Sequence, residues 1–106
     1  IHPALLPAFK GLDTHERALA AGVSEHGATV HFVVPDMDSG PIVAQGKVPV
    51  LPGDDASSLA ARVLAIEHKI YPLALRLVAQ NRVRVMDGRC IVEGPLAADE
   101  AAFVPQ

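Results

Sequence analysis

Between Leu59 and Leu77 apolar residues recur every three or four positions, at Leu59, Val63, Ile66, Ile70, Leu73 and Leu77. That spacing lines one face of an α-helix. It predicts the longest element of the chain over residues 58–80, capped by Asp55 or Ser57 and kinked or split at Pro72, which has no N–H to continue the ladder. Residues 27–34 alternate instead and are rich in β-branched side chains, with Val30, Phe32 and Val34 on one face and Thr29, His31 and Val33 on the other. This is the period of a strand. A second strand-like run covers residues 42–50, with Gly46 as a bulge and Pro49 at an edge or end. The short loop between the two runs implies an antiparallel pair. Residues 82–92 alternate around Asp87-Gly88, a dipeptide favoured in tight hairpins. Residues 14–21 form a short helix stopped by Gly22, with Asp13 or Thr14 available as its cap. Pro3 and Pro7 make residues 1–9 an irregular, packed connector. Residues 96–106 carry little pattern and read as a loose tail.

The loop that ends the first strand holds two carboxylates, Asp36 and Asp38, between Pro35 and Gly40-Pro41. A rigid strand end followed by a loop bounded by Pro and Gly can fix a charged side chain in one place, which acid/base chemistry requires. This loop is the candidate site. Loop carboxylates by default make turn hydrogen bonds, and a histidine in a packed connector, such as His2, is by default an ordinary one. Placed together they change meaning. A carboxylate beside an imidazole favours the imidazolium, a usable general acid.

Composition narrows the possible partners. With 106 residues, half of them apolar, the chain makes at most one modest domain, or part of one. A net charge of −3 and four aromatic residues offer no basic footprint or stacking platforms for nucleic acid. The single cysteine, Cys90, excludes an intramolecular disulfide framework and fits a reducing, cytoplasmic setting. It reads as a small core residue. No apolar run approaches the ~20 residues that span a bilayer, and no signal-peptide pattern opens the chain. The five histidines lack metal-ligand spacing, so no metal is expected. Glu67-His68 reads by default as a solvated helical face. The chain contains no Gly-rich phosphate loop, so any phosphate cradle is expected elsewhere. Ile1 is not a start methionine and opens the sequence as though just after a strand, which points to a longer parent.

Five segments then carry a resemblance in order and spacing: Ile1-His2-Pro3-Ala4-Leu5-Leu6-Pro7, Gly11-Leu12-Asp13-Thr14-His15, His26-Gly27-Ala28-Thr29-Val30-His31-Phe32-Val33, Asp38-Ser39-Gly40-Pro41 and Glu67-His68-Lys69-Ile70-Tyr71-Pro72-Leu73. Over about residues 1–85 the chain closely resembles the C-terminal half of the phosphoribosylglycinamide formyltransferases, folate-dependent enzymes of purine synthesis within the formyltransferase superfamily. The second and fifth segments favour this member over the deformylases and the methionyl-tRNA formyltransferases. The resemblance implies the α/β class: the C-terminal half of a Rossmann-like formyltransferase fold, with a short helix, an antiparallel strand pair, a long kinked helix and a C-terminal hairpin. The N-terminal nucleotide-binding half is then absent.

The implied reaction transfers a formyl group from 10-formyltetrahydrofolate, as co-substrate and without a metal, to the amine of glycinamide ribonucleotide. His2 matches the catalytic histidine that donates a proton to the developing oxyanion. Asp38 matches the aspartate that favours that histidine's protonated form. Val34, Pro35, Asp36, Met37 and Asp38 match the loop around the folate's pteridine, largely through backbone groups. Leu64, Ala65, Ile66 and Glu67 match the helix segment beside the ribonucleotide, with Glu67 holding it. Thr29 and His31 match positions next to the site.

Two departures accompany the resemblance. The family's oxyanion-stabilising asparagine falls one position before Ile1, and removing one such donor typically costs ~10²–10³ in rate. This chain alone is therefore expected to be inactive, with the missing half of the same polypeptide as its first partner and a homodimer left open. Ala4 stands where the family usually has serine. A formyltetrahydrofolate hydrolase and a non-catalytic folate-binding module remain the alternatives.

Overall fold

The computed structural model describes residues 1–105. In chain order the elements are α1 (Thr14–Ala21), β1 (Glu25–His31), β2 (Ile42–Pro49), α2 (Ala56–Ala79), β3 (Val83–Met86), β4 (Arg89–Val92) and α3 (Ala98–Ala101). β1 and β2 pair antiparallel, as do β3 and β4. The class is α/β.

The core is the apolar stripe of α2 laid on the strand pair. Leu59, Val63, Ile70, Ala74 and Leu77 of α2 are buried, with Leu59, Val63, Ile70 and Leu77 fully so, and Ala28, Val30, Val43, Ala44 and Val48 of the strands are buried too. Gly46 belongs to this packing and is not a bulge: it pairs regularly with Ala28. A Cβ at Gly46 would stand 2.3 Å from Cγ1 of Ile66 and 3.1 Å from Cγ2 of Ile70, so the absence of a side chain lets α2 approach the sheet. The irregularity falls elsewhere. Val30 pairs with Ala44 but His31 with Ile42, leaving Val43 as the additional residue on β2.

α2 starts at Ala56, two residues before the predicted start, because Asp55 and Ser58 form a reciprocal cap: Ser58 N donates to Asp55 Oδ1 at 2.8 Å and Asp55 N to Ser58 Oγ at 3.1 Å. Arg62 pins the preceding turn with two bonds to Asp54, at 2.8 and 3.1 Å, and one to the Pro49 carbonyl. The guanidinium holds the Asp54 carboxyl well below the usual carboxylate range, with the Leu51 amide and Ser58 hydroxyl adding to the effect. Pro72 does not split the helix, which runs through it to Ala79. Pro72 and His68, whose carbonyl loses its donor, are both exposed, so water can take the place of the missing bond.

Three other expectations change. β1 stops at His31, short of Val34, because the Phe32 amide donates to the Pro41 carbonyl at 2.9 Å and closes the loop early. Neither candidate cap of α1 acts: Asp13 makes no side-chain cap bond, and the Thr14 hydroxyl donates instead to the Pro3 carbonyl at 2.6 Å. The tail is not loose over its described residues. It forms α3 and returns to β2, where the Gln45 amide donates to the Phe103 carbonyl at 2.8 Å. Gln106 lies outside the described residues.

The helix stop at Gly22 and the hairpin at Asp87-Gly88 form as the sequence indicates, with all three residues at positive φ. The hairpin packs Cys90 into the core, and burial pushes its thiol pKa up.

Candidate active site

The connector of residues 1–9 is fastened to the edge of β1. His2 and Thr29 exchange both backbone bonds, at 2.7 and 2.8 Å. The Thr29 hydroxyl, fully buried, donates to the Ala4 carbonyl at 2.7 Å and accepts from the Leu6 amide at 3.1 Å and from Gln45 Nε2 at 3.0 Å. Gln45 Nε2 also reaches the Leu6 carbonyl at 2.8 Å. The proline-punctuated segment cannot join a ladder along its length, so these side chains satisfy the backbone groups that a strand would have paired.

This anchoring sets the position of the His2 ring. The ring is buried, with Nε2 2.8 Å from the Phe9 carbonyl and Nδ1 3.5 Å from Asp38 Oδ1. Asp38 sits in the left-handed region at φ 53°. Its Oδ2 accepts from the Gly11 amide at 2.7 Å. His31 approaches the same carboxylate, Nε2 lying 4.0 Å from Oδ1, while its Nδ1 is 2.9 Å from the Phe32 carbonyl. Gly40 keeps the loop tight, for a Cβ there would lie 1.6 Å from the Phe32 oxygen.

Residue type alone does not distinguish the two loop carboxylates; the resemblance names Asp38, and the fold separates the two. Asp38 joins the cluster, whereas Asp36 is exposed and takes no part in it. Val34, Pro35 and Met37 are exposed along the same loop. A cavity of about 160 Å³ opens beside Asp38, lined by Leu6, Pro7, Lys10, Ser39, Gly40 and Ile42 as well. A larger one, of about 560 Å³, is lined by neither His2 nor Asp38 but shares Gly40 and Ile42 with the first, and lies between β2, the β3–β4 hairpin and the tail.

The α2 segment is less uniform than its grouping suggests. Leu64 and Ala65 are exposed and Glu67 half-buried, while Ile66 turns toward Gly46 and the core. None of the four shares a hydrogen bond or ion pair with the His2–Asp38 cluster among the described residues.

Sequence reasoning did not single out Phe9, Gly11 or Gln45. Gln45 leaves a trace, a polar residue amid an apolar strand; Phe9 and Gly11 act through backbone groups, which any residue carries. Behind His2 lies His26, 1% exposed, its Nε2 3.2 Å from His15 Nδ1 and its ring edge-on to Phe9. Burial, and then the positive charges of His15 and His2, push its pKa below the ordinary histidine value.

A formyl transferase family match spans residues 1–75, the whole of this cluster included. The chain belongs to the formyl transferase family. Phosphoribosylglycinamide formyltransferase of Escherichia coli strain K12 is 44% identical over 106 residues, covering 94% of this chain and 50% of that protein. The crystal structure of phosphoribosylglycinamide formyltransferase from Anaplasma phagocytophilum superposes with a TM-score of 0.87 at 46% identity, covering 91% of this chain and 48% of the other. A formyltetrahydrofolate deformylase from Pseudomonas syringae pv. tomato gives a TM-score of 0.82 at 32% identity, covering 86% and 30%. This formyl transferase chain thus spans half or less of the length of these relatives. No helix among its described residues is long and apolar enough to cross a membrane.

Proposed function

We propose that this chain is the C-terminal part of a formyltransferase domain whose complete form, in the cytoplasm, moves a formyl group from 10-formyltetrahydrofolate to the amine of glycinamide ribonucleotide. The observation that carries the reading is the approach of His2 to Asp38 inside a family match. A carbonyl only accepts hydrogen bonds, so the His2 ring nitrogen facing Phe9 carries a hydrogen. The other nitrogen then meets the Asp38 carboxylate favourably only when it is protonated too. The doubly protonated ring is the form these neighbours complement, and a general acid needs that form.

The co-substrate supplies an activated formyl carbon, which the amine attacks. His2 donates a hydrogen bond or proton to the oxygen that gains negative charge, and Asp38 holds the ring in orientation and balances its charge. As the new C–N bond forms, the bond to the folate nitrogen breaks; that nitrogen takes up a proton and the attacking amine gives one to solvent. Val34, Pro35, Asp36 and Met37 are exposed in the loop that leads to Asp38 and its cavity, which fits a surface that holds the folate ring through main-chain groups. Leu64, Ala65 and Glu67 provide the exposed and half-buried surface for the ribonucleotide, and Ile66 sets the helix on the sheet beneath them.

Formyl transfer by the full-length protein carrying this chain tests the reading, native against Asp38→Asn, with and without glycinamide ribonucleotide. Ribonucleotide-dependent transfer that falls of the order of a hundredfold in the variant is expected, the scale of losing one electrostatic stabiliser. Formyl release independent of the ribonucleotide would move the assignment to a hydrolase, a reading that the deformylase likeness keeps in play. Folate binding with neither activity would make the protein a binding module.

A further inference from the structure

The loop of residues 9–13 touches both members of the proposed pair. Its Phe9 carbonyl meets His2 Nε2 at 2.8 Å and its Gly11 amide meets Asp38 Oδ2 at 2.7 Å. Yet the loop has little reason of its own to hold this shape. Phe9, Gly11 and Asp13 all have positive φ, at 53°, 89° and 56°. For glycine that conformation costs nothing special, but for a bulky residue such as phenylalanine it is strained and persists only where surrounding contacts over-determine it.

Lys10 Nζ donates to Ser39 Oγ at 2.9 Å and the Phe9 ring meets His26 edge-on, but the largest share of the contacts comes from one side chain. Arg17 Nη1, from the first turn of α1, donates to the Lys10 carbonyl at 2.6 Å and to the Leu12 carbonyl at 2.9 Å. These carbonyls flank Gly11. The same guanidinium lies over the Phe9 ring, its Cζ 5.7 Å from the centroid, within the range of a cation–π contact. Arg17 is exposed and bonded to no carboxylate among the described residues, and its side-chain hydrogen bonds there go to the loop.

We propose that Arg17 is a positioning residue for formyl transfer: by bracing residues 9–12 it keeps the Phe9 carbonyl on His2 and the Gly11 amide on Asp38, and so sets the distance between the two side chains. This rests on the function proposed above. Arg17 does not touch the reacting atoms, and its effect passes through two backbone groups. A misplacement of about 1 Å in a catalytic group can cost on the order of a hundredfold in rate, so the brace acts on kcat more than on substrate affinity. Lysine keeps the charge and N–H donors but not the planar fork and stacking surface, and it restores the function in part.

The test compares native full-length protein with Arg17→Ala and Arg17→Lys in steady-state formyl transfer, thermal melting and NMR of ¹⁵N-labelled histidine. For Arg17→Ala, kcat is expected to fall about tenfold to a hundredfold, with KM for both substrates within about twofold and Tm little changed. Arg17→Lys should fall between. The Nε2 resonance of His2 should move toward that of a ring without its carbonyl partner in Arg17→Ala. Native kcat with unmoved His2 resonances overturns the proposal. So does a loss of activity that tracks a loss of Tm equally in both variants, which assigns Arg17 to folding alone. The NMR readout does not need turnover: if the native protein transfers no formyl group, a moved His2 resonance still upholds the brace while the functional reading fails.

Discussion

The body formed by β1, β2 and α2 and the corner formed by the connector, the 9–13 loop and the 36–40 loop are held by different physics. The body is regular, with Leu59, Val63 and Ile70 fully buried against alanines and valines of the strands. The corner is irregular, with three positive φ angles between Phe9 and Asp13 and a fourth at Asp38, and polar bonds hold it in place. Apolar burial is non-directional and sums over area, so the body fixes how elements stack. Hydrogen bonds are directional, and a buried group left unpaired costs more than a made bond returns. The corner therefore fixes where single atoms point. A site that must hold His2 against Asp38 needs the second kind of constraint, and the first kind gives it a platform.

Substitutions should separate the two regions. The largest change in stability is expected in the body: Leu59→Ala, at a fully buried position, should lower unfolding free energy by about 2–5 kcal/mol in urea titrations of the full-length protein. Much of the loss should be recovered by Leu59→Met, since this swap roughly conserves volume. In the corner, Thr29→Val keeps the shape but strips the hydroxyl from the Ala4 carbonyl, the Leu6 amide and Gln45. A smaller loss of about 1–3 kcal/mol is expected, and it should be accompanied by faster amide exchange at Leu6. Exchange unchanged at Leu6 would show that the connector is held by packing, and would erase the distinction drawn between the regions.

The smallest effect concerns pH. Because burial and the neighbouring charges of His15 and His2 lower the pKa of His26 in the folded state, the unfolded chain binds the proton first as pH falls. Stability from this group is complete above the ordinary histidine value of about 6.5 and is lost progressively below it, toward the folded pKa. Melting curves between pH 7.5 and 5 should show Tm falling on the acid side. His26→Gln, which keeps both a donor and an acceptor for His15 but does not titrate, should flatten that slope. A slope as steep in the variant as in the native protein would place the acid sensitivity in other groups.

How much of this was legible beforehand differs by region in the same way. The stripe from Leu59 to Leu77, the stop at Gly22 and the Asp87-Gly88 turn are short-range signals, and the elements follow them. Residues 33 and 34 are both valine and read as strand, yet Val33 is 90% exposed, because the loop is closed by Phe32 to Pro41 across the sequence. Gly46 resembles a bulge in one dimension and is a contact point for α2 in three. For the site, the histidine and the loop carboxylate could be named as chemical types, and the family resemblance paired His2 with Asp38. The Phe9 carbonyl and the Gly11 amide could not be named, since every residue has such groups and only the fold selects which ones face a side chain.

The amino-acid sequence by itself determined the larger elements and the buried face of α2, because helical and strand periods and turns depend on neighbours a few positions away. It also determined the family, through side chains kept in order and spacing. Only the tertiary structure decided how closely Asp38 approaches His2, which backbone groups hold that pair, and why Arg17 is spent on a loop. Those contacts join residues 5 to 36 positions apart. Their geometry is set by how β1, the connector and two loops come together in space, which no local pattern encodes.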